Sequence, residues 1–357
     1  LLNNTKQSSR FFSDSDEFIS ACAHIDSHTL MTKNGDLIQT IQINGEDEDH
    51  LSDKLLGLRD FIRKSVNYHL NDQNISCWIH TIRKRANLDD SATYPTILSQ
   101  NIHNFWVKKN YWDDKYINTL FLSFVYKGKE FYIKDLKSLL DSFNPLKIKE
   151  KHHQLIEESR GKLDSLVSKI DQDLKQFGSR RLGIVFEDDK AYCEITKFLK
   201  NLLTSDNSPQ EVSESDISKK VGSFSYAVGS NKLEIIDKNL VKYLSIISLK
   251  EYYELSSVVL DRVLQLPSEF VITEVFHPTN SLEAKKAIDH QKYIASVSKE
   301  DSIIKLKAID KVYECEGKYS IPLYKQQISI SILNENIENL DKICTNLSFQ
   351  LSKIGLL

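Results

Sequence analysis

The sequence predicts an α+β fold: two ββαβαβ-type layers of sheet and helix, joined by a long amphipathic helix and consistent with an internal duplication. Three observations carry this expectation. Runs rich in β-branched and aromatic residues alternate with stretches whose apolar residues recur at helical spacing. The order of these elements in the first half returns in the second. Between the halves, Leu163, Leu166, Val167, Ile170, Leu174 and Phe177 form the stripe of one helix from about Ile148 to Phe177.

Residues 1–16 are polar and serine-rich and read as a mobile lead-in. The first subdomain is expected over 17–130, the connecting helix over 131–178 and the second subdomain over 179–357. Asn34-Gly35, between Thr29-Leu-Met and Leu37–Ile43, is a hairpin signal because this pair readily takes positive φ at both central positions. A helix follows from Leu51, Leu55, Leu58, Ile62 and Val66, with acidic residues at 46–49 suiting the positive end of its dipole. Strand Ile75–Ile82, a helix from Pro95 to Lys109 and strand Tyr116–Tyr126 complete the first series; the last is apolar on both faces and is expected to be central. After the long helix come strand Leu182–Phe186 and helix Ala191–Leu203. The Ser, Asp, Asn and Pro content near 204–231 predicts a mobile loop. The series then repeats: a hairpin through Asp237-Lys-Asn, strand Leu240–Leu249, helix Leu255–Leu266, strand Glu269–Phe276, helix Ser281–Val297 and strand Gln327–Leu333. In that last strand Ile328, Ile330 and Ile332 alternate with polar residues, so one face is buried, and the amphipathic helix from Ile337 to Ile354 is available to cover it.

The 357 residues, 40% hydrophobic and 27% charged, match globular averages and suffice for a sizeable core in about two domains. Five scattered cysteines with no Cys-x-x-Cys pair point to a reducing, cytoplasmic compartment. Apolar runs such as Tyr243–Leu249 fall far short of the about 20 residues that span a bilayer, leaving only peripheral membrane association. The net charge of −3 gives no general attraction to nucleic acid, which would need a local basic patch.

Candidate chemistry is sparse. No Gly-x4-Gly-Lys-Ser/Thr phosphate loop is present; Gly128-Lys129, Gly161-Lys162 and Gly317-Lys318 are followed by Glu130, Leu163 and Tyr319. Cys22, His24, Asp26 and His28 share one face of an extended chain, but strand neighbours two apart sit roughly 7 Å from each other, too far for all four to meet one ion. These residues are better read as shaping the hairpin. His152-His153 reads as a solvated helix face, and no Gly-x-Ser-x-Gly nominates a nucleophile. The basic groups Arg83-Lys84-Arg85, near Trp78, and Arg180-Arg181 could reach phosphate or lipid headgroups, though a solvated strand end is the simpler reading. Phe105-Trp106 and Tyr111-Trp112 read as core before docking surface. No catalytic, cofactor-binding or metal-binding residue is expected.

Several segments carry a family likeness. His24, Asp26, His28, Thr29, Gly35 and Asp36 follow the pattern Pro-Tyr-x-x-His-hydrophobic-Asp-x-His-Thr and a Gly-Asp hairpin, with Ala21-Cys22 replacing Pro-Tyr. Trp78–Arg85, Ile195–Leu203, Leu266–Phe270 with Phe276, and the closing helix to Gly355 follow in order. Together they resemble the N-terminal region of the CagE/TrbE/VirB family, the large ATPases of bacterial type IV secretion and conjugation. The resemblance implies a motor using ATP and Mg²⁺ downstream of residue 357, with no cofactor in this stretch. It further implies peripheral placement at the cytoplasmic face of the inner membrane. The implied partners are inner-membrane subunits of the channel, other secretion ATPases and further copies of the chain. The expected role is assembly and docking, with Arg83, Lys84, Arg85, Leu163, Leu166 and Ile170 as candidate partner contacts. The alternative is a free-standing nucleic-acid-binding α+β module; an unrecognised hydrolase would have to show turnover.

Overall fold

The computed structural model describes residues 13–44, 53–85, 93–109, 116–128, 145–237, 240–249, 263–297 and 324–353, apart from 15, 17, 213–215, 238–239, 265, 267 and 280, together with 307 and 310. In chain order the elements begin with β1 (Ser13–Asp14), β2 (Ala21–His24), β3 (Leu30–Thr32), β4 (Leu37–Ile43), α1 (Asp53–His69), β5 (Ile75–Arg85), α2 (Ile97–Lys109), β6 (Tyr116–Tyr126) and α3 (Pro145–Asp173). After a short 3-10 turn follow β7 (Ser179–Arg181), β8 (Ile184–Glu187), β9 (Lys190–Cys193), α4 (Glu194–Thr204), α5 (Ile217–Val221) and β10 (Ser225–Val228). The chain continues through β11 (Leu233–Asp237), β12 (Leu240–Leu249), β13 (Phe270–Pro278), α6 (Ser281–Val297), β14 (Tyr324–Asn334) and α7 (Ile337–Lys353).

The strands join into one 12-stranded sheet in the order β1-β10-β11-β12-β14-β13-β5-β6-β4-β3-β2, with β7 alongside β4; β8 and β9 form a separate hairpin. Side chains alternate across each strand, so the sheet has two distinct faces. On one face, Ile75 and Cys77 of β5 and Leu122 and Phe124 of β6 meet Ile62 and Val66 of α1 and the stripe of α3. Leu163, Val167, Ile170 and Leu174 are fully buried there, each contributing about 1.5–3 kcal/mol as an upper estimate. On the same face, Ile328, Ile330 and Ile332 of β14 pack against Leu340, Leu347 and Leu351 of α7. Asn336 starts α7 by accepting the amides of Glu338 (2.8 Å) and Asn339 (3.1 Å). The opposite face is covered at Ile82 and Phe121 by Ile195 and Phe198 of α4 and Ile217 and Val221 of α5.

The two halves share one topology. The first, β3-β4-α1-β5-α2-β6-α3, has spatial order β3-β4-β6-β5, and the second, from β11 to α7, has order β11-β12-β14-β13, every neighbouring pair antiparallel. When β6 is laid over β14, both 11 residues long, the pairing registers carry Leu37–Ile43 onto Tyr243–Leu249 and Ile75–Arg85 onto Ser268–Pro278. The halves meet edge to edge at β5 and β13, where His80 lies opposite Thr273. These two residues are equivalents under the same superposition, so a pseudo-two-fold axis passes between them, and the His80 ring nitrogen sits 3.1 Å from the Thr273 hydroxyl.

Several expectations change. At the first hairpin only Gly35 takes positive φ (82°); a turn closed by the Gly35 amide on Thr32 O (2.9 Å) replaces the two-residue form. Of the expected strand 182–186, only 184–186 are strand, in β8, while Leu182 and Gly183 form the link from β7; a two-residue turn with Asp188 and Asp189 at φ 48° and 60° joins β8 to β9. Residues 204–231, expected as a mobile loop, contain α5 and β10, the latter paired in the sheet. Within the expected lead-in, Ser13 and Asp14 pair with Tyr226 and Ser225. The expected helix 255–266 lies almost wholly outside the described residues.

Candidate functional site

The His24–Thr29 segment joins β2 to β3, and its polar groups are committed to protein partners. The Asp26 carboxylate accepts the His28 amide (2.8 Å) through one oxygen and Arg160 of α3 (3.1 Å) through the other. Arg160 also donates to Glu157 at 2.7 Å. Burial pushes the Asp26 carboxyl up, but hydrogen bonds from the His28 and Thr29 amides, the Thr29 hydroxyl and Arg160 outweigh it, leaving its pKa below the ordinary value. The His28 ring bonds Leu182 O at 3.0 Å, and the Ile184 amide donates to Ser27 O at 2.9 Å. A Cβ at Gly183 would stand 2.5 Å from the His28 ring, so glycine is what lets the chain pass there.

The network extends inward. Gln39 donates to Thr29 Oγ1 (2.8 Å) and accepts from Arg181 (2.9 Å), which also reaches Asp164 of α3 (2.7 Å). Asp36 accepts the Gly128 amide (2.7 Å) at the end of β6. The motif is therefore a clamp holding the first hairpin to α3 and to the β7–β8 link. It does not converge on an ion: Asp26 and His28 are engaged elsewhere, and no cluster of potential metal ligands occurs among the described residues. His24 Nε2 is buried and has no hydrogen-bond partner among the described residues, and burial followed by the nearby Lys220 lowers its pKa.

The predicted contact residues are dispersed. Leu163 (0% exposed), Leu166 (7%) and Ile170 (0%) hold α3 to the sheet and offer nothing to a partner, because the apolar stripe that suggested them is the stripe the core requires. Arg83 is buried, donates to Leu266 O (3.1 Å) and Asn118 (3.2 Å), and lies over the Tyr116 ring at 4.5 Å. Lys84 bonds Asn201 Oδ1 and Ser205 O (3.2 Å), and Lys242 bonds Thr204 O (2.9 Å). Lys242 thus meets the last carbonyl of α4 and Lys84 the carbonyl of its cap residue, both at the negative end of the helix dipole. Only Arg85 of the three is exposed, so they form no shared basic patch. Arg180 is likewise held by Glu194 (2.6 Å) and Gln42 (2.7 Å). His153 is exposed on α3, as expected of a solvated face.

Sequence reasoning missed the outer surface of α2. Phe105 and Trp106, read as core, are 68% and 47% exposed, beside Leu98 at 70% and Ile102 at 60%. Aromatic residues at a helix end suggested burial, and nothing in the local sequence showed which way they face. Tyr111 and Trp112 lie outside the described residues.

The glycine-lysine pairs do not fit a nucleotide. Gly161 lies within α3, and a Cβ on Gly128 would come within 2.7 Å of Gly35 O, so neither backbone is open to phosphate. Residues 317–318 lie outside the described residues.

Comparison with known proteins supplies the lineage. Residues 28–131 match the N-terminal domain of the type IV secretion system ATPase VirB4/TrbE, and residues 180–357 match the CagE, TrbE, VirB family, a component of the type IV transporter system. The chain belongs to the CagE/TrbE/VirB family. The two matches fall on the two halves of the sheet. The chain is 20% identical over 263 residues to the type IV secretion system protein virB4 of Bartonella henselae, covering 73% of this chain and 33% of that protein. It is 20% identical over 267 residues to the virB4 protein of Bartonella quintana, with the same coverage. The chain thus spans about a third of the length of these relatives. Among the described residues no helix is long and apolar enough to cross a membrane.

Proposed function

We propose that this chain is the assembly and docking region of a type IV secretion ATPase, placed against the cytoplasmic side of the bacterial inner membrane. One observation carries the reading: family matches fall on both halves of a single continuous sheet, so the secretion-family likeness is not confined to one of them. In this reading ATP and Mg²⁺ belong to a motor elsewhere in the full-length protein and supply hydrolysis-driven movement there. The residues described here bind and position. A rigid sheet backed by α1, α3 and α7 suits the transmission of a displacement to channel subunits, whereas a mobile scaffold would dissipate it. The proposed partners are inner-membrane channel subunits, other secretion ATPases and further copies of the chain. Nucleic-acid recognition finds little support, because Arg83, Lys84 and Arg180 are committed to protein acceptors.

The test is affinity purification of the full-length protein from detergent-solubilised membranes, with and without residues 1–357. Recovery of inner-membrane subunits only when residues 1–357 are present is the expected result. Equal recovery without them would overturn the docking role.

A further inference from the structure

A helix on the surface of a water-soluble body normally turns its apolar stripe inward. In α2 the arrangement is reversed. Ile97 is 83% exposed, Leu98 70%, Ile102 60%, Phe105 68% and Trp106 47%. At 3.6 residues per turn, Leu98, Ile102 and Phe105 fall within a sector of about 60°, with Trp106 beside it. His103 and Val107, on the other side, are half-buried, and the His103 ring meets that of Tyr94 at 4.9 Å between centroids.

Charge distinguishes this helix from its counterpart. From Ile97 to Lys109 there is no aspartate or glutamate, and the helix ends on Lys108 and Lys109. In the second half the equivalent crossover, α6, carries Glu283 and Asp289 among Lys285, Lys286 and Lys292. The same position in the duplicated plan is therefore a mixed-charge helix in one half and an acid-free, outwardly apolar helix in the other. At 13 residues α2 is too short to span a bilayer; what it offers an interface is an exposed apolar sector with an aromatic pair, on a helix that holds no acidic residue and ends on two lysines.

We propose that α2 is a membrane-surface anchor. Its Leu98, Ile102, Phe105 and Trp106 face enters the headgroup–acyl boundary of an anionic bilayer, and the positive net charge of the helix favours the anionic headgroups. The proposal deepens the docking reading above and rests on it for its biological setting. The physical claim itself is separable, because it concerns lipid alone.

The test is flotation of the purified 357-residue chain with vesicles of phosphatidylethanolamine and phosphatidylglycerol, against vesicles of phosphatidylcholine only. Leu98→Ser/Ile102→Ser/Phe105→Ser is compared alongside, with melting temperature as the folding control. The expected result is binding to the anionic vesicles that falls about ten-fold or more in the triple variant, and also in Lys108→Glu/Lys109→Glu, which leaves the apolar face intact. The second variant keeps the test open if the first does not fold. Absence of binding by the unsubstituted chain, equal binding to phosphatidylcholine, or binding unchanged in both variants would overturn the proposal. So would a dimer that the triple variant abolishes without any vesicle binding, since the face would then belong to a second copy. Vesicle binding combined with failure to recover channel subunits would leave the anchor standing and remove only the docking role.

Discussion

Gly183 leaves no room for a side chain. An added Cβ would sit 2.5 Å from the His28 ring and 3.0 Å from Ser27 O, and the second contact is backbone that cannot rotate away. Gly183→Ala is expected to cost about 1–3 kcal/mol, read as a lower urea midpoint at unchanged slope. Asp26 makes a pH prediction. Its folded pKa is below the ordinary value, so its contribution is present above the unfolded carboxylate pKa and is lost as pH falls through the folded one. Asp26→Asn is expected to flatten the acid limb of the stability profile below about pH 4. His80 acts over a different window. Burial lowers its pKa to about 4, so the folded state keeps the ring neutral while the unfolded chain takes up a proton below about pH 6.5. Stability is therefore full above that pH and declines toward pH 4; denaturation of His80→Gln across this range is expected to show a shallower decline. The sequence identified His24 to Thr29 as shaping the hairpin. It could not reveal their partners, since Arg160 is 134 residues from Asp26 and Leu182 is 154 from His28.

Among the elements, periodicity located most helices and strands to within a few residues, because α3, α7 and β14 bury long regular stripes. It failed where short polar residues bond locally. Asp206 accepts the Ser208 amide at 2.9 Å, and Lys200 reaches Asp206 at 3.5 Å, so a segment with linker composition is tied to α4. At α2 the reading of Phe105 and Trp106 as core failed too, because aromatic content alone does not say which face of a helix is covered. The β8–β9 hairpin offers a further prediction. Asp188 and Asp189 occupy the left-handed region that asparagine and glycine tolerate more readily, so Asp188→Asn/Asp189→Gly is expected to raise stability by about 1 kcal/mol in urea denaturation.

For the molecule as a whole, the repeated order of elements was readable from the sequence, but the way the halves join was not. Nothing in the local pattern of β5 or β13 specifies that these strands pair with each other. The halves have also diverged across the sheet. Phe121, covered by α4, occupies the position that Ser329 holds in the second half, and Ser329 and Ser331 are only partly buried. A strand pair at the centre of symmetry has one further consequence. Cutting the polypeptide between its halves would strip β5 and β13 of their mates and leave each piece with a raw, adhesive border. Shortened versions made for biochemistry should therefore keep both halves together, and size-exclusion chromatography of an isolated half is expected to show clumping in place of a clean monomer.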